Sequence, residues 1–365
     1  MKKKIMILGK IPPPFMGPSI ATQIILNSSL KDRYDLIHID TRVNKDLTTM
    51  GKFSLKKIFQ SISIWVKMFS QILTKRPSLV IIPISQSTSG YIKDLIFILI
   101  AKLTFRKTLV HLRGSNFLNW MNDASLPASF FVKTTLKMNN GVIVLGNNLR
   151  YLFKGVFPDQ KIYVSPNGGD YVFPPAQKNI NDISILYLAN LQPSKGIEDL
   201  LNAIAILKNE NIQNFHLDVV GAWRSKSVEE SCNKIVSEYN LPVNFHPADA
   251  AKKKFQFFAN ADIFVFAPRD PEGHPWVVVE AMAAGLPIIS TDRGAIVESV
   301  QDGENGFIVS VADAASIADR LKKLIVDSSL RNKMSVASRE KYENGFTEKK
   351  MVENLSRIIE TVIAK

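Results

Sequence analysis

The chain is short of cysteine, histidine and long apolar runs, and each shortage removes a class of function. Cys232 is the single cysteine, so no intrachain disulfide is possible and a reducing, cytoplasmic compartment is expected. Five histidines and that one cysteine make no set with zinc spacing, so no metal is expected. The apolar run Ile5-Met6-Ile7-Leu8 is too brief for the core of a secretory leader, and none is expected. The stretch 95–101 stops at Lys102, well short of the ~20 residues of a membrane span. A G-x-G-x-x-G loop is also missing, so a dinucleotide is not the expected ligand.

What is present is globular. The 365 residues are 46% hydrophobic and 22% charged, which suits two domains of ordinary size. Charge is divided unevenly. Residues 1–175 hold 24 Lys and Arg against 8 Asp and Glu, a balance of +16, while the rest holds 22 against 25, a balance of −3. A basic half suits an anionic partner: nucleic acid, an anionic membrane surface or a phosphorylated substrate. Nucleic acid is set aside, because no recognition motif or aromatic-interleaved basic tract accompanies the charge.

Short apolar runs alternate with segments of helical period. Strands are expected at 4–9, 35–39, 79–84, 108–112, 142–145 and 161–164, with helices at 19–30, 55–73, 91–105 and 127–138 between them. The second half repeats the theme, with strands at 183–188, 216–220, 243–246, 263–266, 287–290 and 307–309. Its helices are expected at 197–208, 228–239, 252–260, 276–284, 314–326 and 330–342, and a last one at 348–363. Runs such as Val80-Ile81-Ile82 lack polar alternation and suit parallel strands buried on both faces. The reading is α/β, two doubly wound sheets. Domains are expected at 1–173 and 183–346. The Pro- and Asn-rich stretch 174–182 serves as linker, and helix 347–365 packs back toward the first domain.

The densest chemistry lies in 267–287. It reads as a strand end, a Gly/Pro loop, a helix and a Gly-x-Pro stop. Gly273 allows a ligand close to the backbone, and the following helix N-terminus favours a phosphate. Glu272 sits on the loop and Glu280 two turns into the helix, among Val277, Val278, Val279, Ala281 and Met282. A carboxylate in so apolar a setting needs partners. This segment resembles the glutamate–x7–glutamate motif of retaining glycosyltransferases of family four, which have the GT-B fold. Four further segments resemble that family in order: Pro166-Asn167-Gly168-Gly169-Asp170, Leu188 to Gly196, Asp218-Val219-Val220-Gly221 and Asp302 to Phe307.

The resemblance implies two Rossmann-like domains facing each other across a cleft, with roles for single residues. Glu280 would bind the ribose of a nucleotide and Glu272 the donor sugar, with loop amides at Gly273 and His274 beside it. Lys195 would neutralise the departing diphosphate. Asn190 stands where the family usually has arginine, so half of a cationic clamp is missing; Arg113, Arg224 or Arg269 are the candidates to replace it. In the first half, Gly17 in the loop Lys10-Ile11-Pro12-Pro13-Pro14-Phe15-Met16-Gly17 matches a glycine loop whose amides reach the diphosphate, and Ser19 reads as the N-cap of the next helix. His111, at a strand end, would contact the donor sugar or departing phosphate. Asp170 is a candidate for acceptor contacts, while His38 and His246 read as structural. The Asp-x-Asp metal motif of the other large glycosyltransferase fold is absent, and no cofactor beyond a nucleoside-diphosphate sugar is implied.

Segment 55–73 carries Leu55, Ile58, Phe59, Ile62, Trp65, Val66, Phe69, Ile72 and Leu73 at helical spacing, with Lys52, Lys56, Lys57, Lys67, Lys75 and Arg76 around them. It suits an interfacial membrane helix and a core helix with a charged face equally. With the basic half, it supports peripheral contact with anionic lipid at the inner face of the cell membrane. The expected function is sugar transfer to a saccharide or lipid-linked acceptor with retention of configuration, in cell-surface polysaccharide synthesis. The alternatives are a non-catalytic GT-B protein that binds nucleotide sugar, or a GT-B sugar-nucleotide epimerase.

Overall fold

Val80-Ile81-Ile82 and Val142-Ile143-Val144 do form strands buried on both faces. The computed structural model describes residues 2–13, 16–43, 55–179, 181–247 and 253–364. Pro14, Phe15, Lys52, Ile180 and Lys252, and the side chains of Leu55, Lys56 and Lys57, lie outside the described residues. The chain divides into two compact units, Met1–Gly169 with Glu348–Lys365, and Asp170–Thr347.

The first unit is built on strands β1 (Lys4–Gly9), β2 (Asp35–Asp40), β3 (Leu79–Ile84), β4 (Lys107–Leu112), β5 (Gly141–Val144) and β6 (Ile162–Val164). They form one parallel sheet in the order β2-β1-β3-β4-β5-β6. Its helices are α1 (Gly17–Asn27), α2 (Leu30–Arg33), α3 (Leu55–Lys75), α4 (Thr88–Leu103), α5 (Phe117–Asp123) and α6 (Leu126–Lys137). The second unit has β7 (Ile183–Leu188), β8 (Phe215–Val220), β9 (Val243–His246), β10 (Ile263–Phe266), β11 (Ile288–Thr291) and β12 (Gly306–Val309), in the order β12-β11-β10-β7-β8-β9. Around them run α7 (Ile197–Asn209), α8 (Lys226–Glu238), α9 (Lys254–Asn260), α10 (Trp276–Ala283), α11 (Ile296–Ser299), α12 (Ala314–Val326) and α13 (Ser328–Gly345). The last helix, α14 (Glu348–Ala364), belongs to the first unit.

Side-chain alternation divides the work of the first sheet. Ile5, Ile7, Leu79, Ile81, Leu109 and Ile143 share one cluster with Met351, Leu355, Ile358 and Ile359 of α14 and Ile25 of α1. The intervening Met6, Val80, Ile82, Val110 and Val142 are equally buried and point to the other face. Successive steps β2→β3, β3→β4 and β4→β5 all run the same way across the sheet. Right-handed crossovers therefore set α3, α4 and α6 together on that other face.

Local chemistry departs from the expectation at α1. Ser19 is not its N-cap; the helix opens earlier, at Gly17, with Met16 at the cap. Pro18 suits the first turn because its φ is preset and its missing N–H would have no partner there. Ser19 instead sits inside that turn, where its Oγ accepts from Met16 N at 3.0 Å and donates to Met16 O at 2.9 Å. The passage between units falls at Gly169 and Asp170, ahead of the stretch 174–182. That stretch is pinned to the second unit: Gln177 N donates to Asn260 Oδ1 at 2.8 Å and Lys178 Nζ to Ala261 O at 2.7 Å.

Candidate functional site

In the second sheet the strand order reverses at β7. The chain runs from β7 outward to β8 and β9, then crosses back to β10 and β11 on the other side. Loops leaving β7 and β10 at their carboxyl ends diverge, and open α/β sheets hold ligands in the crevice so formed. Lys195 comes from the first of these loops and Glu272 from the second.

Lys195 ends a tight turn, Pro193–Lys195. Gly196 follows with φ 78°, and a Cβ there would stand 2.0 Å from Ala267 O. Only glycine lets the β7 loop lie this close to the β10 loop. Tyr187 Oη donates to Lys195 O at 3.0 Å and fixes the turn from below. The Lys195 ammonium donates to Glu272 Oε1 in a close ion pair. Burial raises the Glu272 carboxyl and Lys195 pulls it back down. The β10 loop is itself clamped: Arg269 N donates to Ser194 O at 2.9 Å, Thr291 Oγ1 to Pro268 O at 2.7 Å and Ala295 N to Gly273 O at 2.7 Å. Gly294, with φ 61°, is required for the same reason as Gly196, because its Cβ would meet Glu272 O at 1.7 Å.

His274 and Glu280 face inward. Burial pushes the His274 imidazole down to about 3, so it is neutral. Its Nε2 lies 2.6 Å from Ser299 Oγ and its ring stacks near Phe346. His274 thus anchors the loop through its ring. Glu280 is 2% exposed. Lys254 Nζ donates to its Oε1 at 2.5 Å, while Oε2 is enclosed without a partner among the described residues. Burial raises the Glu280 carboxyl and Lys254 opposes that rise. The hydroxyl of Tyr171 is likewise enclosed without a partner among the described residues. Its pKa is raised well above the ordinary value by burial, with Glu280 adding to the rise.

Asn190 is exposed after β7. Of the arginines considered as replacements for its missing charge, Arg269 is engaged elsewhere. Its Nε and Nη2 grip the buried Asp199 at 2.7 Å and 2.6 Å, a two-point fork at the start of α7. Arg224 is exposed, and its backbone N donates to Leu191 O at 3.0 Å. Arg113 belongs to the first unit.

The first unit carries its own reversal, between β1 and β3. Gly17 opens α1 after β1, and His111 lies in β4, beside β3. His111 is 4% exposed and its Nε2 has no hydrogen-bond partner among the described residues. Burial, then the Arg113 charge, drive its pKa well below the usual histidine range. Arg113 is lowered by burial to about 10 and stays charged at neutral pH. A neutral imidazole and a fixed cation therefore share one small cavity. His38 and His246 are bound within the protein, by Gly9 O at 2.9 Å and Asp218 Oδ1 at 2.8 Å. Asp170 is exposed.

Lys254, Tyr171 and the Asp199–Arg269 fork are additions that sequence reasoning missed. Nothing in the run Lys252-Lys253-Lys254 marks one lysine as the partner of a glutamate 26 residues on. Among the described residues, no group of three or more His, Cys, Asp or Glu side chains is gathered to hold a metal ion. Nor is any described helix long and apolar enough to cross a membrane.

Residues 173–341 match the family model of glycosyl transferases group 1. The second unit carries a glycosyl transferases group 1 domain. The chain is 31% identical over 189 residues to the capsular polysaccharide biosynthesis glycosyltransferase CapM of Staphylococcus aureus, covering 51% of this chain and 48% of CapM. It is 33% identical over 183 residues to spore coat protein SA of Bacillus subtilis, covering 48% of each. The chain spans about half the length of the curated relatives it matches. Fold similarity extends further. Sucrose-phosphate synthase from Thermosynechococcus elongatus superposes with a TM-score of 0.75 over all of both chains, at 17% identity. HepE of Anabaena, solved with UDP-glucose, superposes with a TM-score of 0.74 over 99% of this chain and 100% of HepE, at 17% identity. The fold is GT-B, two α/β units each on a six-stranded parallel sheet.

Proposed function

We propose that the chain is a glycosyltransferase that moves a sugar from a nucleoside-diphosphate sugar to a saccharide or lipid-linked acceptor, with retention of configuration. The Lys195–Glu272 ion pair at the reversal of the second sheet carries this reading. A cation and a carboxylate held together there match the two ends of the donor. Lys195 meets the diphosphate and Glu272 the sugar hydroxyls, with amides of Gly273 and His274 beside them. Glu280 accepts from the ribose, Asn190 donates a neutral hydrogen bond, and Gly17 and His111 act from the first unit. In the reaction the bond from the anomeric carbon to the diphosphate breaks. The acceptor oxygen bonds that carbon, and the acceptor's proton leaves with the nucleoside diphosphate. Negative charge gathers on the leaving group, where a fixed ammonium is most effective. Retention rests on the resemblance of the Glu272–Glu280 segment to retaining enzymes. A role in cell-surface polysaccharide synthesis is supported by the names of the relatives, CapM among them.

Asn190 favours one other reading, a GT-B protein that binds nucleotide sugar without turning it over. Thermal shift and turnover separate the two. A nucleoside diphosphate at a hundred times its Kd should stabilise the fold by about 2.7 kcal/mol, and NAD should not. Stabilisation by NAD alone would remove both readings. Nucleotide binding with no transfer from any donor would leave the non-catalytic one.

A further inference from the structure

The outer side of the α3–α4–α6 layer is apolar where solvent would ordinarily select polar residues. On α3, Met68 and Ile72 turn inward and are fully buried. Phe59, Ile62, Val66, Phe69 and Leu73 follow one another at spacings of three and four, a second stripe along the same helix, and all are exposed. Phe59 is 70% exposed and Val66 61%. α3 packs on α4, and α4 on α6. The exposed faces of those helices continue the pattern, with Ile92, Leu99 and Leu103 on α4 and Leu126 and Phe130 on α6. Leu103 is 76% exposed and Phe130 73%. Scattered apolar residues need no explanation, but a contiguous layer of this kind marks an interaction surface.

Charge selects the occupant. α3 and α6 contain no acidic residue. The one acid of α4, Asp94, is 2% exposed, accepts from Ser85 N at 2.7 Å and pairs with Lys93 at 3.1 Å. Exposed Lys67, Lys75, Lys133 and Lys137 flank the apolar positions. A second copy of the chain would bring like charges together across such a face. A sheet of anionic headgroups over acyl chains meets both the charge and the apolar stripe.

We infer that the α3–α4–α6 face docks on an anionic lipid bilayer, with the aromatic and aliphatic side chains entering the headgroup boundary and the lysines in the phosphate layer. The inference is independent of the donor chemistry. It gives the expected peripheral contact a surface and an orientation: α14 lies on the far side of the sheet, away from lipid.

The test uses the full chain, sedimented with vesicles of phosphatidylcholine alone or with a third of phosphatidylglycerol. The wild type should partition into the anionic vesicles and be released by salt. Val66→Asp with Phe69→Asp should weaken that partition at least about tenfold, with an unchanged melting midpoint because both positions are exposed. Val326→Asp with Val336→Asp, an equal charge change at exposed positions of α12 and α13, should leave partition unaltered. Lys133→Glu should weaken it by roughly fivefold or more. Wild type that stays in the supernatant, or that binds neutral and anionic vesicles equally, overturns the inference. So does a dimer that Val66→Asp and Phe69→Asp dissociate, without any partition into lipid. UDP binding, measured on the same samples, reports separately on the donor site.

Discussion

Lys254 holds one oxygen of Glu280 at 2.5 Å and leaves the other, Oε2, enclosed and without a partner among the described residues. The ammonium fixes the carboxylate, and the free oxygen is the one able to accept from a ligand. A buried acceptor without a partner is costly, so a hydroxyl that reaches it gains a charge-assisted bond.

Removing the carboxylate separates these roles. Glu280→Ala is expected to weaken nucleoside-diphosphate binding at least about tenfold, the loss of one hydrogen bond to a charged group, measured by titration calorimetry. Lys254→Met leaves a buried charge without its partner and should cost roughly 3 kcal/mol of stability in denaturant unfolding. Adding Glu280→Gln to Lys254→Met should recover much of that loss. Unaltered nucleotide affinity in Glu280→Ala would take the ribose away from this residue.

Lys195 is the cation of the second unit's crevice that faces Glu272, and Arg269 is tied to Asp199. Lys195→Ala should lower turnover by about 10²–10³, the usual cost of one well-placed charge-stabilising donor, with the fold intact because the residue ends a surface turn. Asn190→Arg is the complementary change and should restore part of the turnover in the Lys195→Ala background. Turnover of Lys195→Ala close to wild type would mean that the diphosphate is held by other groups.

The His216 and Asp218 pair gives stability a pH dependence of known sign. A hydrogen bond to Asp218, opposed by burial and reinforced by Asp182, raises His216 from 6.5 to about 9. Its contribution is complete below the unfolded value and is lost as pH rises through about 9. For Asp218 burial alone would raise the pKa, but hydrogen bonds from His216, His246 and Asn244 outweigh it and hold the carboxyl at about 2. Its contribution is complete above the unfolded 3.8 and disappears as pH falls toward 2. The melting midpoint should therefore decline between neutral pH and 9, and His216→Gln should flatten that limb and also weaken the acid limb, because His216 is one of the donors that hold Asp218 low. An unchanged alkaline limb in His216→Gln would assign it to other groups.

The strands were legible because buried parallel strands are written as uninterrupted apolar runs. Val80-Ile81-Ile82 and Ile263 to Phe266 leave no other reading between their Asp and Pro boundaries, and every strand begins and ends within one residue of its expected place. Helix ends were less legible. At α1 the competing starts Gly17-Pro18 and Ser19 differ by backbone preference alone, and the proline prevails. In the site, Lys195, Glu272 and Glu280 could be singled out from loop chemistry and an apolar setting. Their partners could not. Lys254–Glu280 and Arg269–Asp199 join residues 26 and 70 positions apart, and only the folded sheet order brings such residues together. The interior position of the His274 ring has the same origin, since Ser299 reaches it from α11.

The placement of α14 reverses the order in which the chain is finished. Its aliphatic residues Met351, Leu355, Ile358 and Ile359 cover strands that precede the second unit in the chain, yet the ribosome reaches them after that entire unit. The domain synthesised second is continuous and has all its parts first. The one synthesised first waits with a strip of its sheet bare until α14 emerges, and transiently exposed apolar surface of that kind makes a nascent chain prone to aggregate.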